Sequence, residues 1–151
     1  MESLIRLLRQ GGYSCVVSHG SQVETFTRRG VADLYELLRE RPAFLQGASL
    51  ADKVVGKAAA ALMILGGVRR LYAEVLSRPA LELLRRCGVE ARYGTCVPHI
   101  INRAGTGWCP LETRCFALSA PEECLEQITD FMAALAAPRR IAAGEKDDND
   151  K

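Results

Sequence analysis

The chain has 151 residues, 48% of them hydrophobic and 25% charged, with a formal net charge of +2. That length suits one domain with a core of its own, and the balance of apolar and charged residues excludes a wholly disordered chain. So small a net charge provides no global field for nucleic acid or a membrane surface, so any electrostatic function must be local.

In chain order, "MESLIRLLRQ" reads as a short amphipathic helix ended by Gly11-Gly12. Charges interrupt its leucines, so it is not read as a signal peptide. No apolar run of about 18 residues occurs, and the expectation is a cytoplasmic protein without a membrane span. "YSCVV" and "VETFT" around "HGSQ" predict a hairpin. "GVADLYELLRERP" places Val31, Leu34, Tyr35, Leu37 and Leu38 at helical spacing and stops before Pro42. "ADKVVGKAAAALMILGG" predicts a helix from about residue 50 to Leu65, with Ser49 and Asp52 as its capping pattern and Gly66 as its terminator.

"VRRLYAEVL" then predicts a strand, and "RPALELLRRC" a helix with Ser77 as N-cap and Gly88 as stop. "VEARYG" and "TRCFAL" predict two further strands. "SAPEECLEQITDFMAALA" predicts the last helix, with Ser119 and Glu122 as a capping box and Cys124, Leu125, Ile128, Phe131 and Leu135 on its apolar face. Residues 1–138 are therefore expected to form one α/β domain, and residues 139–151 a charged, disordered tail. Strand–helix alternation after the hairpin predicts a three-layer α/β/α sandwich built on a mixed five-stranded sheet.

Six cysteines stand at 15, 87, 96, 109, 115 and 124 without a C-x-x-C pair. In a chain able to build its own core they read as reduced, buried thiols.

Two features point to a site. Lys53 and Lys57, four apart near the predicted start of the 50–65 helix, repel each other and oppose the helix dipole. Solvated lysines are the ordinary reading. The neighbours favour a sharper one, because positions 54, 55 and 58–65 carry no polar side chain. A helix so apolar is expected to be buried with its N-terminal end open, where lysines and free amides make an anion site. A partly desolvated lysine near another cation is also suited to nucleophile or base roles.

The second feature is "TCVPHIINRAGTGWCPLE", residues 95–112, which lacks periodicity. Loops longer than about 12–15 residues in compact domains are usually functional or disordered. This one holds the single Trp and one of the two His of the chain. His99 and Cys109 are its chemical candidates, although a hydrogen-bonded structural histidine and a packed thiol are the plain alternatives. Asn102, Arg103, Thr106 and Glu112 add groups suited to a small ligand. Cys96, His99 and Cys109 make three potential ligands without a fourth, so no metal is assigned.

"RGVADLYELL", "GASLADKVVGKAAAALMI" and above all "VPHIINRAGTGWCPLE" resemble the domain of unknown function eighteen ninety-three, an uncharacterised prokaryotic family. The resemblance spans about Tyr13 to Leu135. It implies a cytidine-deaminase-like α/β/α fold. Zinc deaminases present H-x-E at one helix start and P-C-x-x-C at the next. The corresponding starts here are taken as "ADKVV", with Asp52 and Val54 where His and Glu would fall, and "LSRPALEL", with Ser77 and no cysteine pair. The resemblance thus implies the fold without the zinc chemistry.

The expected function is a pocket free of metal and cofactor that binds, and acts on, a small anionic, nucleotide-like molecule. Lys53, Asp52, His99 and Cys109 are its catalytic candidates. Lys57, Ser77, Asn102, Arg103, Thr106 and Glu112 are its ligand-binding candidates. Neither nucleic acid nor a membrane is an expected partner. The alternatives are a non-catalytic sensor or binding module and, after it, a zinc-dependent deaminase-type hydrolase.

Overall fold

The computed structural model describes residues 1–28, 31–102 and 104–144. Helix α1 (Glu2–Gly11) buries Leu4, Ile5 and Leu8 and ends at Gly12, whose φ of 70° is a left-handed cap. The hairpin follows as β1 (Cys15–His19) and β2 (Gln22–Phe26), with His19 paired to Gln22 across a two-residue turn. Next come α2 (Ala32–Glu40), the short α3 (Pro42–Leu45), β3 (Ser49–Val55), α4 (Lys57–Gly66) and β4 (Arg70–Ser77). The chain continues through α5 (Arg78–Arg86), β5 (Glu90–Val97), α6 (Pro110–Cys115) and α7 (Pro121–Gly144).

The five strands make one mixed sheet in the order β2-β1-β3-β4-β5. Strand β1 is antiparallel to both of its neighbours, while β3, β4 and β5 are parallel. Side chains alternate across the pleat, so the register decides which helices each strand meets. Val16 and Ala51, paired across β1 and β3, pack with Leu4 and Leu8 of α1 on one face. Val17 and Leu50 face the other side and join a large core with α2, α4, α5, α6 and α7. The result is the expected three-layer α/β fold. Among the described residues, no helix is long and apolar enough to cross a membrane.

Three local expectations are corrected. The predicted helix from residue 50 to Leu65 is two elements: residues 49–55 form β3, and the helix begins only at Lys57. Along β3 the pleat sends successive side chains to opposite faces, with Ala51 turned to α1 and Leu50 and Asp52 to the other side. Its backbone groups are claimed on both sides by β1 and β4, and Gly56 breaks the strand. The Ser49–Asp52 pattern therefore caps nothing, since both residues pair in the sheet. Lys53 and Lys57 consequently do not share a helix face.

The second correction concerns "TRCFAL", which is not a strand. Pro110 opens α6 as its first residue, and Leu111 and Cys115 turn to the core. The sheet keeps five strands because β3 fills the count that "TRCFAL" was expected to fill. The third correction shifts the last capping box by one residue. Helix α7 starts at Pro121, and it is Glu123 that accepts from the amides of Ala120 at 3.2 Å and Ser119 at 3.3 Å. Helix α7 continues through Pro138 to Gly144, while residues 145–151 of the expected tail lie outside the described residues.

Candidate functional site

In open α/β sheets, ligands bind beyond the carboxyl ends of parallel strands, where the strand order reverses. Here the ends of β2 and β3 and the start of antiparallel β1 meet at one edge. A cleft of about 690 Å3 opens there, walled by the starts of α2 and α4 and roofed by the segment from Ile100 to Glu112. A groove of similar size, about 680 Å3, lies between α2 and α7 (Tyr35, Leu38, Leu125, Met132) and holds none of the predicted site residues.

Asp52 sits on the floor of the cleft. It is 8% exposed, and its Oδ1 accepts from the Val54 amide at 3.2 Å. Burial pushes its carboxyl up to about 7, against the smaller opposing effect of the backbone donors at Val54 and Lys53. Directly across the β1–β3 ladder stands Cys15, which also lines the cleft. Burial, reinforced by the neighbouring Asp52 and Asp33 carboxylates, pushes the Cys15 thiol well above its ordinary range.

Asp33, in the first turn of α2, is held by Arg28, whose Nε donates at 2.6 Å and whose amide donates at 3.1 Å. The Arg28 guanidinium reaches on to Glu36 at 2.8 Å. Lys53 lies exposed at the rim beside Val54. At the start of α4, Ala58 and Ala59 line the cleft, and their amides have no hydrogen-bond partner among the described residues. They are two of the donors that every helix start leaves free.

Glu112 and Lys57 fasten the roof to α4. The carboxylate of Glu112, 1% exposed, accepts from the Lys57 amide at 2.8 Å through Oε1 and from the Ile100 amide at 2.8 Å through Oε2. The negative charge thus sits at the positive end of α4. In return, the Lys57 ammonium donates to the carbonyls of Phe116, at 3.0 Å, and Leu118, just beyond the end of α6. A cation there complements the negative end of that helix. Gly56 makes the approach possible, because a Cβ at that position would lie 3.0 Å from Glu112 Oε1 and 3.1 Å from Ile100 Cγ1.

The structure brings Asp52, Lys53, Asn102, Cys109 and Glu112 to one cleft. Other candidates stand elsewhere. Ser77 is fully buried and caps α5 by accepting from the Ala80 amide at 3.3 Å. His99 stacks on Trp108, with ring centroids 4.2 Å apart, and Trp108 meets Phe116 edge-on at 4.9 Å. Thr106 is exposed, and both its amide and its hydroxyl bond to the Asn102 side chain. Arg103 lies outside the described residues. The two helix starts that meet at the cleft are those of α2 and α4, not the "ADKVV" and "LSRPALEL" stretches taken from the resemblance. They read Val31-Ala32-Asp33 and Gly56-Lys57-Ala58-Ala59, with neither histidine nor cysteine. Among the described residues, no three His, Cys, Asp or Glu side chains gather as a metal-holding group.

Sequence reasoning missed Cys15, Asp33 and Arg28. Asp33 was findable as an acid in the first turn of a predicted helix. Cys15 was not, because its position opposite Asp52 depends on β3 being a strand.

The fold and the cleft define a single-sheet α/β protein with a cleft at the carboxyl edge that holds a buried carboxyl, that of Asp52. Residues 3–132 match the model of a domain of unknown function, DUF1893, and the chain belongs to that family. It is similar to the crystal structure of a DUF1893 family protein, TM1506, from Thermotoga maritima: 26% identity, TM-score 0.79, over 85% of this chain and 87% of that one. A diaminohydroxyphosphoribosylaminopyrimidine deaminase/5-amino-6-(5-phosphoribosylamino)uracil reductase from the same organism matches at 20% identity and TM-score 0.41, over 62% of this chain and 35% of that one. No curated protein matches the chain.

Proposed function

We propose that the cleft binds a small anionic, nucleotide-like molecule and acts on it by acid–base chemistry at Asp52. The observation that carries this reading is the Asp52 carboxyl, buried on the cleft floor and pushed up to about 7. A group that titrates near neutrality both takes and returns protons efficiently, and such groups concentrate at functional sites. The free amides of Ala58 and Ala59, with Lys53 at the rim, support an anionic moiety on the ligand. The donor set supports chemistry without zinc, since the helix starts at the cleft offer a carboxylate, an alkylammonium stem and amides rather than imidazole and thiolates. Glu112 and Lys57 act in this reading as the fastening of the roof rather than as ligand contacts.

The test is amide NMR of the full chain with nucleoside monophosphates and inorganic phosphate as probes. The expected result is a saturable shift of the Ala58 and Ala59 amides, weakened about tenfold or more in Lys53→Ala, which corresponds to about 1.4 kcal/mol. Saturating probes that leave both amides unmoved, or move only residues outside the cleft, would overturn the reading.

A further inference from the structure

We infer that Cys15 is the nucleophile of this cleft, and that its electrophile is an acyl-type carbon, C=O or C=N, bearing a leaving group. The inference rests on the cleft being the reaction site.

Three placements support it. The β1–β3 register sets Cys15 and Asp52 side by side on the same face of the sheet, and both line the cleft. Asp52 is a carboxylate directly opposite Cys15 in that register, so a nucleophile and a base adjoin. Ala58 and Ala59, whose amides have no partner among the described residues, line the same cleft, where backbone donors at a helix start can hold charge that develops on the carbonyl or imine heteroatom. Cys15 is itself buried, so what sets it apart is its place rather than its exposure. Cys109 also lines the cleft, but on the roof at the start of α6 and not opposite Asp52 in the sheet, and Cys87, Cys96, Cys115 and Cys124 do not line it.

The charged groups around Cys15 explain why a base in contact is required. Asp52 lies on β3, Asp33 on α2 and Glu112 on the roof, against Arg28 and Lys53. Burial, with the nearby carboxylates of Asp52 and Asp33 adding to it, disfavours a standing thiolate at Cys15. The proton must therefore leave as the new bond forms. In the first step, the Sγ–C bond forms, the C=X π pair moves to the heteroatom X, and the Sγ proton passes to ionised Asp52. As C=X reforms, the bond to the leaving group breaks, and Asp52 returns the proton to that group. A water molecule then attacks the thioester or thioimidate, Asp52 takes its proton, and Cys15 departs as the thiol. The net reaction is hydrolysis, with water as the co-reactant.

The test uses p-nitrophenyl acetate as the acyl probe on the full chain, with adducts located by peptide mass spectrometry. Cys15 is expected to be acetylated faster than the exposed Cys87 in the same sample, with a rate that rises through about pH 7 as Asp52 ionises. Cys15→Ala should abolish the adduct, and Asp52→Asn should slow it about a hundredfold, the usual worth of a positioned base. Cys15 labelling slower than that of Cys87, or labelling unchanged in a folded Asp52→Asn protein, overturns the inference. If that variant does not fold, a wild-type rate with no inflection near pH 7 overturns it instead. Retained nucleotide-induced shifts at Ala58 and Ala59 in such a case would leave the binding reading standing while this one falls.

Discussion

Replacing Asp52 by asparagine should make the protein more stable at neutral pH and leave it nearly unchanged near pH 4. In the unfolded chain the carboxyl ionises at its ordinary value of 3.8, whereas in the folded chain burial holds it protonated up to about 7. Between these values the unfolded state sheds a proton that the folded state keeps. Stability therefore falls as pH rises from about 4 to about 7 and is level above that. At about 1.4 kcal/mol per pH unit the gap is worth about 4 kcal/mol, an upper figure because a buried site relaxes on ionisation. Asparagine keeps the shape and the oxygen that accepts from Val54, and it has no charge to strand. The assay is urea unfolding of both proteins from pH 4 to pH 9. The expected difference is near zero at the acid end and grows through neutrality to a few kcal/mol in favour of the variant. A difference equal at pH 5 and pH 8 would refute the claim that burial governs this carboxyl. A residue that costs its own fold stability at the working pH is what a retained function at the cleft would look like.

The roof fastening gives two more expectations, and the donor set of the cleft a third. Gly56→Ala places a methyl 3.0 Å from Glu112 Oε1 and 3.1 Å from Ile100, so it should destabilise the protein by about 1–3 kcal/mol in thermal or urea unfolding. Glu112→Gln supplies one acceptor oxygen for two buried amides that each lie 2.8 Å from a carboxylate oxygen. One amide is left facing an NH2 group, at a cost of about 2–3 kcal/mol, and the Ile100 amide should lose hydrogen-exchange protection. Chelation by EDTA should leave the melting temperature unchanged; elemental analysis finding zinc, lost on chelation together with stability, would return Cys96, His99 and Cys109 to first place.

How much of this was legible in the sequence turns on residues 49–55. The hairpin, α1, α2, β4, α5 with its Ser77 cap and most of α7 could be read locally, because each carries its own period, cap or stop. "SLADKVV" shows no alternation, its apolar and polar residues falling in pairs, and the apolar run from Ala58 to Leu65 after it continues smoothly into a helix. What makes residues 49–55 a strand is pairing with β1, thirty-odd residues earlier, and with β4, some twenty later, and no local period encodes those contacts. The site inherits the same limit. Asp52 and Lys53 could be singled out from composition, but only as cap and cation of a helix. As strand residues they separate, Asp52 into the cleft floor opposite Cys15 and Lys53 to the exposed rim. Lys57 passes to the opposite role: at the first turn of α4 it looked like a ligand cation, and the structure uses its amide to hold Glu112 and its ammonium to finish α6. The anion at that helix start is thus partly supplied by the protein itself. The acceptor-poor ground left for a ligand is the pair of amides at Ala58 and Ala59, in the same cleft as the buried carboxyl of Asp52.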